Sequence, residues 1–187
     1  MQLRDNGLRF SPITIVLHWL VAALLLSILG LEVAMARTAA QASSARLEPI
    51  QNLLGLMLFL ISAYRFWARV SSPHPLPLGS PTPVQVIVSR SVATALALAM
   101  VLLPLAVWLS RAAAGVGIEL PGGLMLPAPI GPSKPLKAVL DALFNIGATA
   151  FVAGLALHLF GAFRNHLVLK NQTLRRITNR DEPLPQI

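Results

Sequence analysis

The sequence predicts an all-α integral membrane protein, a four-helix bundle with both termini in the cytoplasm, and three observations predict it. Hydrophobic residues fill 55% of the 187 positions and charged residues only 12%, giving a mean hydropathy of +0.69, well above that of an ordinary soluble domain. Four stretches are long and apolar enough to cross about 30 Å of hydrocarbon, which takes roughly 20 residues of helix. Lys and Arg are divided unevenly between the two sets of loops that four crossings create.

The helices are expected over Ser11 to Ala36, Ile50 to Trp67, Val86 to Leu109 and Leu136 to Phe163. The first three carry almost no charge. The fourth holds Lys137 and Asp141 near its start, so its apolar part begins a few residues later. SSPHPLPLGSPTP (Ser71 to Pro83) and LPGGLMLPAPIGPSKP (Leu120 to Pro135) are rich in helix breakers and read as loops, the second folded over the end of the bundle. No internal repeat or second domain is apparent, so residues 1–187 read as one transmembrane domain. Ala34-Met35-Ala36 resembles a secretory cleavage site. The apolar run before it, from Pro12, exceeds the roughly 7 to 15 residues of a signal core, so it is read as a retained span.

Orientation follows from the short loops. The N-terminus (Arg4, Arg9), the second loop (Arg65, Arg69, Arg90) and the tail (Arg164, Lys170, Arg175, Arg176, Arg180) hold ten cations, against five on the other side (Arg37, Arg46, Arg111, Lys134, Lys137). This places both termini in the cytoplasm. The net charge of +8 is then explained by membrane lipid at the anionic inner leaflet, with no nucleic-acid partner.

Two of the four histidines, His18 and His158, lie inside the apolar runs, where imidazole is costly and marks a site. His18 comes seven residues after Ser11 and His158 six residues before Arg164. At 1.5 Å per residue both rings sit roughly 10 Å inside the same membrane face. Two neutral imidazoles at one depth on antiparallel helices suit the axial positions of one b-type haem, and six-coordinate iron suits electron transfer. Absence of cysteine makes any haem non-covalent and excludes disulfides and thiolate metal sites. Gly154 and Gly161 flank His158 on its helical face, with room for a porphyrin edge or, alternatively, for close helix packing. The plain alternative for each histidine is a hydrogen bond to a neighbouring helix.

RFSPITIVLHWLVA (Arg9 to Ala22), GLMLFLISAYRFWARVSSPHPLP (Gly55 to Pro77), LLP (Leu102 to Pro104) and ALHLFGAFRNHLVLKNQTLRRI (Ala156 to Ile177) resemble the four helices and tail of the bacterial cytochrome b561 family. These are four-helix membrane cytochromes, of which one branch is described as a superoxide:ubiquinone oxidoreductase. The resemblance implies electron transport, haem b and exchange with a quinone or a redox-protein partner. It also implies two haems held by four histidines, of which His18 and His158 match one pair. The other pair falls on Gln51 and Phe144, neither an imidazole, with Asp141 and Asn145 beside the latter and Arg90 where third-helix histidines are common. One haem, near the cytoplasmic side, is therefore expected.

Arg65 is the better of two arginines, with Arg69, to neutralise a haem propionate; otherwise both snorkel to lipid phosphate. His74 reads as a loop residue and His166 as interfacial, with a propionate or quinone contact as its functional alternative. Glu32, the single acid of the first helix, reads as a headgroup-level group or a partner of Arg37 rather than a proton path. Trp19, Trp67 and Trp108 read as interfacial anchors, and Met57 and Met100 as packing residues. No second substrate site is visible, so an oxidoreductase activity rests on the resemblance. A haem-free relative serving as an anchor or assembly partner is the alternative, and a small transporter is disfavoured because neither inverted repeats nor broken helices are apparent. Nothing in the chain sets an oligomeric state.

Overall fold

All four expected helices form; the first matches its expected bounds to within one residue, and the other three start earlier or end later than their apolar stretches. The computed structural model describes residues 5, 10–37, 41–71, 81–170 and 174–178, of which 41–45, 175 and 176 are described by backbone alone. The elements are α1 (Pro12–Arg37), α2 (Gln41–Ser71), α3 (Pro83–Ala113), β1 (Ile118–Leu120), β2 (Leu124–Leu126), α4 (Lys134–Phe163), a π-helical turn (Arg164–Val168) and the short α5 (Arg175–Thr178). All four long helices are apolar and long enough to cross a membrane. Their large hydrophobic side chains, such as Leu26, Ile146 and Val152, point outward in a manner that only lipid makes favourable.

The extra length has local causes. α3 starts at Pro83 because Thr82 caps it: the Thr82 hydroxyl accepts from the Gln85 amide while the Gln85 side chain accepts from the Thr82 amide. α2 starts well before Ile50 and passes through Pro49, beside which Glu48 pairs with Arg111 of α3. Pro104 lies within α3 without ending it, as membrane helices tolerate. α3 ends on Gly115 at φ +75°, with Val116 N–H reaching the Arg111 carbonyl and Gly115 N–H the Ala112 carbonyl, a Schellman closure that needs a left-handed residue.

The segment expected as a plain loop after α3 contains a small antiparallel hairpin. Leu120 pairs with Leu124 across Pro121-Gly122-Gly123, where both glycines hold positive φ. The hairpin lies over the end of the bundle, as expected: Asn52 of α2 donates to the Glu119 carbonyl at 2.9 Å and Trp108 to the Pro127 carbonyl at 3.1 Å.

The helices pack in chain order, α1 on α2, α2 on α3, and α3 on α4, while α1 and α4 have no comparable backbone packing. The buried core is Val21, Leu24 and Leu58, joined by Ile28, Leu54, Ile61 and Met100. On the far side Gly147 and Gly154 of α4 face Leu103 and Leu96 of α3, where an added Cβ would lie 3.1 and 3.3 Å from the leucine methyls. Gly154 therefore serves helix packing and offers no room to a porphyrin; Gly161 has nothing within 4 Å of its Cβ direction and stays open.

Candidate functional site

The depth of the first site residue is set at the start of α1. The Ser11 hydroxyl accepts from the Thr14 amide at 3.1 Å, and the Asp5 carboxylate accepts from the Ser11 amide at 2.7 Å and the Thr14 hydroxyl at 2.8 Å. Ser11 is almost fully buried, so this cap is rigid. One turn beyond Thr14 stands His18.

His18 on α1 and His158 on α4 meet across the seam where the two helices have no extensive backbone packing. Their ring centres are 6.3 Å apart, with the planes tilted by 58°. Arg65 of α2 is the third member: its Nη2 lies 3.4 Å from His18 Nδ1. The three residues singled out in the sequence thus converge, although they are 47 and 140 positions apart. All three are half-buried.

An imidazole–metal bond is about 2.0–2.1 Å, so a metal held between two imidazole nitrogens separates the ring centres by roughly 6 Å. The observed gap matches that spacing. Among the described residues no three His, Asp or Glu side chains converge on a metal. Two imidazoles alone make a poor site for a bare ion, whereas a porphyrin would bring nitrogen donors of its own and would need only these two from the protein. The residues present therefore fit haem b.

Cations surround the pair towards the near end of the bundle. Arg69 donates to the Thr94 hydroxyl at 3.3 Å and lies within electrostatic range of Arg65, Arg90 and Asp5. Asp5, already shared between Ser11 and Thr14, is the one carboxylate there among the described residues. Trp19, edge-on to His18 at 5.6 Å between centres, donates its indole N–H to the Ile177 carbonyl at 3.0 Å. This bond ties α5 to α1 beside the histidines, a link that sequence alone did not suggest. Trp67 is exposed and leans on Tyr64. His166 is exposed on the π-helical turn, and His74 lies outside the described residues. Met100 packs against the core, but Met57 is 41% exposed and is not a core packing residue.

At the hairpin end the other two positions of interest are differently occupied. Gln51 donates its side-chain amide to the Glu32 carboxylate at 2.8 Å, so Glu32 is held by α2 and not through a contact with Arg37. Asp141 accepts from Ser110 and Lys137, both at 2.5 Å. Phe144 is half-buried. Glu32 is fourteen residues from His18, and Gln51 fourteen from Arg65, so the two cross-helix contacts fix one antiparallel register for α1 on α2.

One further group escaped the sequence reading. Ser62 of α2 is 3% exposed and its hydroxyl has no hydrogen-bond partner, the one such buried side-chain atom among the described residues. A serine in an apolar helix is unremarkable until the register shows what it faces.

Among known families, the family model for prokaryotic cytochrome b561 matches residues 9–180, nearly the whole chain. No curated protein matches the chain.

Proposed function

The chain belongs to the prokaryotic cytochrome b561 family, a family of membrane b-type cytochromes in electron transfer, and on that premise we propose that it carries single electrons through one haem b held by His18 and His158 on the cytoplasmic side of the bacterial inner membrane. The observation that carries the reading is the 6.3 Å gap between the two rings, with Arg65 at the edge of one. When bound, haem supplies a one-electron iron couple.

The chain's own residues supply the rest. His18 and His158 act as neutral ligands from two helices that barely pack on each other, so the seam can admit a flat ligand without unmaking the α1–α2 or α3–α4 contacts. Arg65, with Arg69 behind it, offers charge and directed N–H groups to the propionates. Apolar walls from α1 and α4 keep water away and let these charges act at a lower dielectric.

A single haem is supported by the hairpin end. Gln51 and Phe144 cannot serve as imidazole ligands, and the Gln51 amide is engaged by Glu32. Fourteen helical residues, roughly 21 Å at 1.5 Å per residue, separate that level from the histidine pair. The route across the membrane then lacks its second carrier, so donor and acceptor, a quinone pool or a redox protein, exchange electrons at the cytoplasmic side.

A reduced-minus-oxidised spectrum of the purified protein with a haem assay tests this. We expect a b-type α-band, about one haem per chain, and loss of the band in His18→Ala and in His158→Ala. An unchanged band in either variant, or two haems per chain, overturns the assignment. A protein with no band in any preparation would instead favour the haem-free anchor.

A further inference from the structure

Ser62 differs from three other helical serines. Ser27, Ser71 and Ser89 each fold the hydroxyl back on a carbonyl of their own helix. Ser62 does not, and it is buried at 3% exposure. A buried hydroxyl without a partner is costly, so its persistence calls for a group that meets it in some state of the protein.

Its place narrows what that group is. Ser62 is three residues before Arg65 on α2, and in the register set by the Arg65–His18 and Gln51–Glu32 contacts it stands opposite Val21, three residues after His18. Val21 is 1% exposed, so both lie in the sealed interface of α1 and α2, one turn deeper than the Arg65–His18 contact. His18 is the nearest residue of that interface, in helical turns, whose hydrogen-bonding needs change with ligation.

Those needs follow from the ring. A neutral imidazole that gives one nitrogen to a metal carries its hydrogen on the other, and ligating histidines almost always donate that hydrogen to an acceptor. Arg65, now at the His18 ring, carries only donors and cannot take it. Thr14, one turn earlier on α1, is already engaged with Ser11 and Asp5. We infer that Ser62 is the positioning residue of His18, its hydroxyl accepting, directly or through one water, the ring N–H that ligation leaves on the far nitrogen. Ser62 touches neither haem nor substrate; it holds the imidazole at one rotation and makes it a more basic ligand. This inference rests on the haem reading above.

The test uses the full-length, haem-loaded protein with Ser62→Ala and Ser62→Thr. A less basic ligand stabilises the reduced iron, so Ser62→Ala should raise the midpoint potential by about threefold in the redox equilibrium, roughly 28 mV at 59 mV per decade for one electron. It should also keep one haem per chain and spread the low-spin electron-paramagnetic signal over more than one ring orientation. Ser62→Thr, which keeps the hydroxyl, should return the potential towards the parent value. The Ser62→Ala apoprotein should melt no lower than the parent, since it loses only an unpartnered hydroxyl. An α-band with parent potential and signal in Ser62→Ala overturns the inference and assigns the ring hydrogen to another acceptor, such as the Thr14 carbonyl. Absence of the band in the parent overturns the haem reading itself, and Ser62's role with it.

Discussion

Arg65 meets His18 with donors alone, so on the proposed reading it could not accept the ring hydrogen that a ligating imidazole would carry. Its full positive charge is the larger consequence. A fixed cation near the iron disfavours the oxidised, more positive form and so raises the potential; its removal lowers it. At roughly 10 Å and an effective dielectric near 20, one charge contributes about 1–2 kcal/mol. For a single electron that is roughly 40 to 90 mV, since 59 mV corresponds to a tenfold change. Arg65→Gln should therefore lower the midpoint potential by that order while keeping the α-band, with redox titration as the check. The sign is opposite to that expected for Ser62→Ala, so the two variants separate charge from ligand basicity. A potential unchanged or raised in Arg65→Gln would mean that the guanidinium charge does not act at the iron in the loaded protein.

The packing of α3 on α4 places His158 through glycines, and the same contact shows what a sequence does and does not disclose. Gly147 and Gly154 are seven residues apart on α4, and Leu103 and Leu96 seven apart on α3, so each leucine lies over the next glycine in an antiparallel seam. At Gly154 a Cβ would already be 3.3 Å from Leu96 Cδ2. Gly154→Leu should push the helices apart at a cost of about 1–3 kcal/mol, read as a lower melting temperature in detergent. Gly161→Ala, facing open space, should leave the apoprotein as stable or slightly more so. From the sequence these two glycines look alike, because only the neighbouring helix distinguishes them. The helices themselves were legible, since twenty apolar residues have few soluble explanations. Their ends were not, because hydropathy registers the lipid-facing part and misses the capped turns at Thr82 and those beyond Pro49. The Pro-Gly-Gly turn was readable as a loop, yet its three-residue strands fall below what alternation can reveal. His18, His158 and Arg65 stood out because each is polar inside an apolar run; Ser62 did not, being small and ordinary until its partnerless hydroxyl was seen in place.

At the scale of the whole molecule the segments on the two sides of the bundle differ in charge, and that difference underlies the orientation proposed for the histidine pair. The hairpin end carries five Lys and Arg with four acids, Glu32, Glu48, Glu119 and Asp141, two of which are ion-paired, to Arg111 and Lys137. In the sequence, the N-terminal segment, the second loop with its flanks and the tail hold ten Lys and Arg with three acids, Asp5, Asp181 and Glu182, and so nearly all of the net +8. The count of cations in short loops sets orientation, and the anionic inner leaflet adds about 1 kcal/mol for each Lys or Arg near its surface. On the function proposed above, this asymmetry supports a histidine pair that faces the cytoplasm. The chain has no cysteine, which makes this directly measurable. Gly131→Cys introduces a thiol at the exposed hairpin end, where a Cβ meets nothing within 4 Å, and Leu169→Cys one just past the fourth span. A membrane-impermeant maleimide added to intact spheroplasts should label Gly131→Cys and spare Leu169→Cys, with both reacting once the membrane is opened. The reverse pattern would turn the bundle over, moving the haem site to the outer face and its electron partners with it.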